Sequence, residues 1–313
     1  MAQRTLSMFF SPPVKLVPPV FRPPSEANSL LIQVTIGCSN NKCTYCDMYR
    51  SKSYQVRDKK DIFKDLQAAY HFYKKHAQVP RRIFLCDGDA LGAPTNLLKE
   101  VLQEINRLFP QLDRVGIYAT AENMLSKTKE ELEELSKLKL NMAYLGMESG
   151  SDKVLHQIVK GNTAQDMIEG TRRIKQSGFK LSTIVMLGVG GKQLSKEHIE
   201  ETAKVLSEEP PHYLSFLTTF SVPGTPYHKM EERGLISPLT AKELFIEMKG
   251  ILENLELKKH QDSARVIFRA NHVSNQFPLG GVLPRDKEKL TTTLDEWIES
   301  TPEGVYPPRP LTM

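Results

Sequence analysis

Six short apolar runs between residues 30 and 220, separated by amphipathic stretches, constrain the fold more than any other feature of the sequence. Each run is rich in Ile, Val, Leu, Tyr or Phe and is bounded by Gly, Asp or Pro, which is typical of a strand buried on both faces of a parallel sheet. The runs are Leu30–Gly37, Arg82–Asp87, Arg114–Thr120, Asn141–Glu148, Lys180–Gly188 and Tyr213–Phe220. Between them lie helical patterns, such as Leu132, Leu135 and Leu138 recurring among charged residues. This order predicts an α/β fold, an open barrel of about six βα units with right-handed crossovers.

The two ends of the chain depart from this alternation. Residues 1–25 contain six prolines and no acidic residue, and because proline fixes φ and lacks an N–H group we expect an extended arm. After the sixth run, a Pro-Gly-Thr-Pro turn at residues 223–226 precedes one helical pattern and a seventh apolar run. The sequence therefore predicts an arm over residues 1–25, the barrel over 26–226, and a helix-strand cap over 227–313 packed on the barrel.

Composition excludes several classes of protein. Hydrophobic residues make up 40% and charged residues 25% of the 313 residues, which is the balance of a globular protein rather than a disordered one. No stretch approaches the roughly 18 apolar residues of a membrane span, and no apolar segment of a secretory signal follows the N-terminus. We therefore expect a cytoplasmic protein without membrane association. Import into an organelle stays open, although the arm has too little Ser and Arg for a convincing transit peptide.

Three of the four cysteines, Cys38, Cys43 and Cys46, form a C-x4-C-x2-C motif directly after the first apolar run. Three thiolates on one loop can hold three irons of a cubane and leave the fourth iron without a protein ligand. Plant-type ferredoxins share this spacing and take a fourth cysteine, but Cys86 lies within the second predicted strand. A structural zinc site wants four ligands, and no His or further Cys lies nearby to complete one. The spacing alone leaves iron–sulfur and zinc open.

With Tyr45 directly before the third cysteine, this loop resembles that of the radical S-adenosylmethionine (SAM) superfamily, and the resemblance extends over about residues 30–225. In that family three cysteines after the first strand hold a 4Fe-4S cluster whose open iron binds the amine and carboxylate of SAM. The resemblance implies that Cys38, Cys43 and Cys46 hold such a cluster, that SAM is the second cofactor, and that the fold is a partial (β/α)6 TIM-like barrel. This chain has one more residue between the first two cysteines than the usual C-x3-C-x2-C spacing.

Other family motifs match at later strand ends. Gly88 and Asp89 stand where the family's Gly-Gly-Glu motif faces the methionine amine, and Glu148 and Ser149 lie in a Gly-x-Glu-Ser-Gly segment whose glutamate approaches the ribose and sulfonium of SAM. Lys160 follows at the spacing where relatives place a cation on the SAM carboxylate. The resemblance therefore implies that these five residues, together with Tyr45 on the cysteine loop, bind SAM. The physical alternatives are a helix cap for Asp89, a hydrogen-bonded strand-end carboxylate for Glu148 and a solvated Lys160.

The remaining predicted site residues lie on the third, fifth and seventh apolar runs or follow them. Gly188 and Gly190 are similar to the family's adenine-packing glycines, and Tyr118 and Ser182 complete the expected SAM contacts. Tyr118 and His272 are also candidate catalytic residues, with His272 as a proton donor at the substrate mouth; its alternative is a hydrogen-bonded plug under the cap. Every motif that follows one of the first six runs falls at the carboxyl end of a predicted parallel strand, where barrel enzymes build their sites.

The closest resemblance is to the subgroup containing the elongator catalytic subunit and oxygen-independent coproporphyrinogen oxidases, without their extra domains. It implies an enzyme that reductively cleaves SAM to a 5′-deoxyadenosyl radical, which abstracts hydrogen from a substrate. A small metabolite or tetrapyrrole-like substrate is favoured over tRNA, because the chain lacks an RNA module and an aromatic-basic interleaving. A non-catalytic protein resembling a haem chaperone is the alternative function, and a ferredoxin-like or zinc-structured module is the third.

The basic run after the cysteines bears on the electron donor. A flavodoxin- or ferredoxin-type donor is acidic, so an exposed basic surface beside the cluster is a docking patch for it. A solvated face and a phosphate-binding edge are the other interpretations. The residues of this run are Arg50, Lys52, Arg57, Lys59 and Lys60.

Overall fold

One eight-stranded sheet forms the frame of the protein in the computed structural model, which describes residues 12–257 and 265–309. The strands in chain order are β1 (Leu30–Gln33), β2 (Thr35–Ile36), β3 (Gln55–Val56), β4 (Arg82–Cys86), β5 (Arg114–Ala119), β6 (Leu140–Glu148), β7 (Lys180–Leu187), β8 (Tyr213–Thr218), β9 (Val266–Ala270) and β10 (Leu279–Leu283). The helices are α1 (Lys59–Lys75), α2 (Thr95–Leu108), α3 (Ala121–Ser126), α4 (Lys129–Lys137), α5 (Asp152–Gln157), α6 (Ala164–Gln176), α7 (Gly191–Glu208), α8 (Pro226–Glu232), α9 (Ala241–Asn254) and α10 (Lys287–Ser300).

The sheet order is β1-β4-β5-β6-β7-β8-β9-β10. Every neighbouring pair is parallel except β9 and β10, and all six predicted apolar runs contribute a parallel strand. The first run divides, because its end turns away as β2 and pairs with β3 in a separate two-stranded ribbon. The predicted α/β architecture is confirmed. Because β1 and β10 stand at opposite ends of the order, the sheet curves as an open barrel without closing.

Alternate residues along each strand face different surroundings, as the two-residue period of a strand requires. On β4, Ile83 and Leu85 belong to the main core beneath the helices, whereas Phe84 and Cys86 belong to a separate cluster inside the barrel. Burying each such aliphatic side chain contributes about 1.5–3 kcal/mol, so the outer layer supplies most of the stability. The helices begin at polar caps; Thr163, for example, forms a capping box that starts α6.

The arm packs against the inner cluster. Residues 12–23 form neither helix nor strand, and Leu16 and Val20 pack on the aromatic residues inside the barrel. A short 3-10 helix follows, and in it Glu26 is fully buried and pairs with Arg114 at 2.7 Å. The first 11 residues of the predicted arm lie outside the described residues.

The C-terminal region extends the sheet of the barrel. Strand β9 pairs in parallel with β8, with Ile267 beside Tyr213, and β10 returns antiparallel to β9. Helix α9 packs on α7 and α10. Among the helices of the described residues, none has the length and apolarity needed to cross a membrane.

Candidate functional site

The barrel encloses a cavity of about 1890 Å³, here called the lumen. This volume exceeds the roughly 300–1,000 Å³ of a pocket for one drug-sized molecule, so the lumen has room for two small ligands. Inward-facing residues of β5 to β9 form its wall, and the loop after β2 lies at the carboxyl end of the strands. Predicted site residues that line it are Cys38, Cys43, Tyr45, Cys46, Gly88, Tyr118, Glu148, Lys160, Ser182 and His272.

The three clustered cysteines lie together on the loop after β2. Their thiols are free and half-buried, and all three line the lumen. The loop is fixed to the end of β4 by the N–H group of Gly37, which donates to Asp87 at 2.8 Å, and by the N–H group of Gly88, which donates to the Gly37 carbonyl at 3.0 Å. The predicted juxtaposition of the cysteine loop with the second barrel strand is therefore present in the fold.

Polar neighbours hold the inner turn of this loop. The amide of Asn40 donates to the Cys43 sulfur at 3.2 Å and to the Lys160 carbonyl at 2.8 Å. The guanidinium of Arg50 donates to the carbonyls of Cys43 and Cys46 at 2.6 and 2.7 Å. These bonds order the loop without using a thiol as a structural donor.

Burial affects the protonation of two of the three thiols on this loop. Burial raises the pKa of Cys43, and it raises the pKa of Cys46 to about 12, so both are protonated at neutral pH unless a cationic metal stabilises the thiolates. Within residues 12–257 and 265–309, no three His, Cys, Asp or Glu side chains stand close enough to hold one metal ion.

The fourth cysteine is separate from this loop. Cys86 is fully buried inside the barrel, does not line the lumen, and its thiol points to the Ile32 carbonyl at 3.5 Å. This is the environment of a small core residue rather than a ligand.

A buried ion pair lies beside the cysteines. Lys160 and Glu148 are 2.9 Å apart, and their side chains are 11% and 7% exposed. Burial lowers the pKa of Lys160, but the Glu148 carboxylate, its hydrogen bond and the nearby Cys43 and Cys38 together outweigh burial and raise it, so the ammonium group keeps its proton at neutral pH. Gly146 makes room for the carboxylate, because a Cβ there would lie 2.3 Å from a Glu148 oxygen. Together the two residues present one carboxylate and one ammonium group to the lumen.

A family comparison bears on these features. The sequence model of the Radical SAM superfamily matches residues 32–206, which is more than half of the chain. The chain belongs to the radical SAM superfamily. The predicted superfamily is confirmed. Proteins of this superfamily bind a 4Fe-4S cluster and SAM, which are the two cofactors predicted from the sequence.

Relatives match this radical SAM protein over part of their length. It is 27% identical over 149 residues to the heme chaperone HemW of Bacillus subtilis, covering 46% of this chain and 38% of HemW. It is 25% identical over 118 residues to the tRNA uridine(34) acetyltransferase of Methanocaldococcus jannaschii, covering 37% of this chain and 21% of that enzyme. The chain thus spans well under half the length of either relative.

A solved structure shares the fold. TsrM from Kitasatospora setae, a radical SAM methyltransferase solved with cobalamin and a [4Fe-4S] cluster bound, matches with a TM-score of 0.52 at 15% identity. The match covers 65% of this chain and 39% of the TsrM chain. It shows the barrel architecture that the alternation of the sequence predicts.

Four predicted SAM contacts do not line the lumen: Asp89, Ser149, Gly188 and Gly190. Asp89 is fully buried and accepts hydrogen bonds from Ser39 and, at 2.5 Å, from Asn123. It therefore ties the cysteine loop to α3. Gly88 does line the lumen, and a Cβ there would lie 2.8 Å from Cys38 Cβ, so only glycine permits this approach.

Ser149 and Gly188 belong instead to a buried network behind the lumen. The hydroxyl of Ser149 lies 2.8 Å from Nδ1 of His198 on α7, and the N–H group of Gly188 donates to Glu247 on α9 at 2.5 Å. Ser195 also donates to Glu247. The segment after β6 is therefore held by α7 and the segment after β7 by α9, and the bond between Ser195 and Glu247 joins these two helices.

Sequence reasoning missed Glu247 and His198. One signal was available: Glu247 stands on the apolar face of α9 beside Leu244, Met248 and Ile251, where a carboxylate needs a partner. Burial raises the pKa of Glu247 to about 7, although the hydrogen bonds from Ser195 and Gly188 oppose the rise. Burial lowers the pKa of His198 to about 4, so the imidazole is neutral at pH 7.

His272 lies at the wall of the lumen in the loop after β9. Its Nδ1 atom is 2.9 Å from the Ser274 hydroxyl, which also accepts the N–H group of Thr218 at 3.1 Å. Burial lowers the pKa of His272. The imidazole lines the lumen, as a proton donor would, and it also belongs to a hydrogen-bonded loop, as a plug would. The structure is therefore compatible with both predicted roles of His272.

The basic run after the cysteines is not one exposed patch, and that interpretation is wrong for two of its members. Lys52 is buried against Asp87 at 2.9 Å, and the half-buried Arg57 pairs with Asp65 at 2.8 Å. Arg50 is exposed but holds the cysteine loop.

Proposed function

We propose that this radical SAM protein cleaves SAM reductively at a 4Fe-4S cluster held by Cys38, Cys43 and Cys46, and uses the product radical on a small molecule in the lumen. The observation that carries the proposal is the meeting of three free thiols on one face of a large cavity at the carboxyl ends of parallel strands. Barrel enzymes place their chemistry at this end. The fourth cysteine is placed elsewhere, which leaves one iron for SAM.

The chain's own residues supply binding and shielding. When bound, the cluster supplies one electron to SAM, which yields methionine and a hydrogen-abstracting 5′-deoxyadenosyl radical. The thiolates hold the cluster, and the Glu148–Lys160 pair offers opposite charges to the ribose hydroxyls and to the carboxylate of SAM. The lumen wall keeps water from the reactive carbon. Tyr118 and His272 face the same cavity and are the proposed catalytic candidates.

An enclosed lumen favours a small-molecule substrate, a metabolite or a tetrapyrrole-like compound, over tRNA. Its wall consists of inward strand residues such as Ser182, Met186 and Ser215, which a folded RNA does not reach. The match to a tRNA-modifying enzyme covers only 21% of that enzyme. A flavodoxin- or ferredoxin-type protein is the proposed electron donor.

The test is anaerobic reconstitution of the chain with iron and sulfide. We expect about four irons per chain, and formation of 5′-deoxyadenosine from SAM and dithionite. Cys38→Ala should lose both, whereas the matched control Cys86→Ala should keep them, because Cys86 lies inside the barrel away from the loop. SAM cleavage by Cys38→Ala would refute the cluster assignment. Loss of metal from Cys86→Ala would favour a four-cysteine module.

The match to HemW supports one further candidate, a cluster- and SAM-binding protein that carries haem without radical chemistry. That function predicts stoichiometric haem binding by absorbance titration and no 5′-deoxyadenosine above the uncoupled background. Measuring both products on one preparation separates the two candidates.

A further inference from the structure

The lumen extends along the whole length of the strands, beyond the end that carries the cysteines. On β7, Lys180, Ser182, Ile184 and Met186 all line it, and these alternate residues run from the first residue of the strand almost to its last. Six residues of strand advance about 20 Å. One wall of the cavity therefore joins the cysteine loop to the amino ends of the strands.

Basic residues stand at this amino end. Arg82, Arg114 and Lys180 are the first residues of β4, β5 and β7, and all three line the lumen. Arg82 and Arg114 are direct partners in the parallel register, on strands about 4.8 Å apart. Arg22 of the arm and Arg309 line the same cavity. We call Arg82, Arg114 and Lys180 the amino-end cluster.

Neighbouring carboxylates neutralise only one member of this cluster. Glu26 pairs with Arg114 and Asp113 pairs with Arg81, which leaves Arg82 and Lys180 without an ion pair among the described residues. Lys180 is exposed. The Nη1 atom of Arg114 is buried and has no hydrogen-bond partner. Arg82 donates one hydrogen bond to the Ser25 carbonyl at 3.1 Å, but its charge has no acidic partner among the described residues. An unsatisfied guanidinium donor in a cavity that two unpaired cations also line favours an anion, because a buried donor without a partner costs about 1–3 kcal/mol.

Aromatic side chains fill only one side of the lumen between the amino-end cluster and the cysteine loop. Phe84, Tyr118 and Tyr144 pack edge to face at 5.0–6.1 Å and fill the side formed by β4 to β6. The side formed by β7 to β9 is lined by smaller or flexible residues, including Ser182 and Ser215. An open path therefore runs along that side from Lys180 to the cysteine loop, and Arg82 and Arg114 line the same cavity from the amino ends of the filled side.

We infer that the amino-end cluster binds the anionic group, a carboxylate or a phosphate, of the molecule whose other end reaches the cysteine loop. This inference rests on the proposed function for the identity of that molecule as the substrate. The cluster then fixes the substrate by its charged end and sets which carbon faces the radical. An elongated acidic small molecule is the class of substrate that fits, because the amino-end cluster and the cysteine loop lie about 20 Å apart along the lumen.

The test is calorimetric titration of the reconstituted full chain with sodium phosphate and, separately, sodium succinate at constant ionic strength. We expect binding, and the tighter of the two probes identifies the group. The double variant Arg82→Glu/Lys180→Glu should weaken binding about tenfold, since it replaces attraction by repulsion at the site. The matched control is Lys196→Glu/Lys204→Glu, which changes the net charge equally on the exposed face of α7, and should shift the affinity less than about twofold.

Absence of binding to the wild type overturns the inference, and so does an equal loss in both double variants. Lys180→Met, at an exposed position, gives a second measurement if the double variant fails to fold, and should weaken binding about threefold. A parallel assay of 5′-deoxyadenosine on the wild type separates the two proposals. Selective anion binding without SAM cleavage refutes the radical chemistry and keeps the anion site; SAM cleavage with unselective anion binding does the reverse.

Discussion

Replacing Glu247 by Gln should change how the stability of the protein depends on pH. In the folded state the carboxyl is fully buried, and burial raises its pKa from 4.5 to about 7. The folded state therefore holds this proton more tightly than the unfolded state does. The stabilisation is complete below pH 4.5 and is lost as pH rises through about 7.

The size of the effect follows from the two pKa values. A rise from 4.5 to about 7 corresponds to about 3 kcal/mol, of which about 2 kcal/mol falls between about pH 5.5 and pH 8.5. Glutamine has the same shape and stays neutral, so Glu247→Gln removes this term. It keeps an oxygen that can accept the N–H group of Gly188. The free energy of unfolding of the variant, relative to that of the wild type, should therefore rise by about 2 kcal/mol between about pH 5.5 and pH 8.5.

The assay is urea unfolding followed by circular dichroism at several pH values, comparing free energies of unfolding of wild type and variant. His198 also titrates, because burial lowers its pKa to about 4, and its effect on stability has the opposite sign below pH 6.5. Nε2 of His198 lies 3.7 Å from Glu247, so the two titrations are coupled, and the same comparison in a His198→Gln background separates the Glu247 contribution. Glu253→Gln, at an exposed position of α9, is the matched control and should give a flat difference. Parallel profiles for Glu247→Gln and wild type would refute the reasoning.

Two substitutions near the cysteine loop should change iron retention and stability, respectively, because of the contacts that they alter. Gly88→Ala should lower iron retention on reconstitution, because the new Cβ would lie 2.8 Å from Cys38 Cβ and 2.9 Å from the Tyr49 ring; unchanged iron content would contradict this. Lys160→Met should destabilise the protein by about 3–5 kcal/mol in urea unfolding at pH 8, because it leaves the buried Glu148 carboxylate unpaired. The double variant Lys160→Met/Glu148→Gln should recover most of that loss, and a double variant as unstable as the single one would exclude the ion pair as the cause.

Most of the frame was predictable from sequence because it depends on local patterns. Runs such as Ile83–Cys86 are apolar throughout, and the helices between them repeat leucines at helical spacing, so each element is specified by its own residues. The cysteine loop was predictable for the same reason, since Cys38, Cys43 and Cys46 lie within nine positions.

The support of the site was not predictable in this way. Glu247 and Gly188 form a hydrogen bond although they are 59 positions apart in the sequence, and no local pattern around either residue indicates this contact. Gly188 itself matches a motif, yet its position behind the lumen depends on how α7 and α9 pack. Lys52 and Arg57 were misread because a basic run looks exposed until the partners Asp87 and Asp65 are known.

The placement of the arm has a consequence for the order of events during synthesis. Ser25 and Glu26 bind Tyr144, which follows 119 and 118 positions later in the chain. At about 5–20 residues per second, the ribosome adds Tyr144 about ten seconds after Glu26. Ser25 and Glu26 are synthesised early but can pack in place only after Tyr144 has been made. Until then the aromatic side chains of β4 to β6 are exposed and can contact other nascent chains. Substitutions in the arm should therefore change chaperone dependence and aggregation during expression more than substitutions in the helices do.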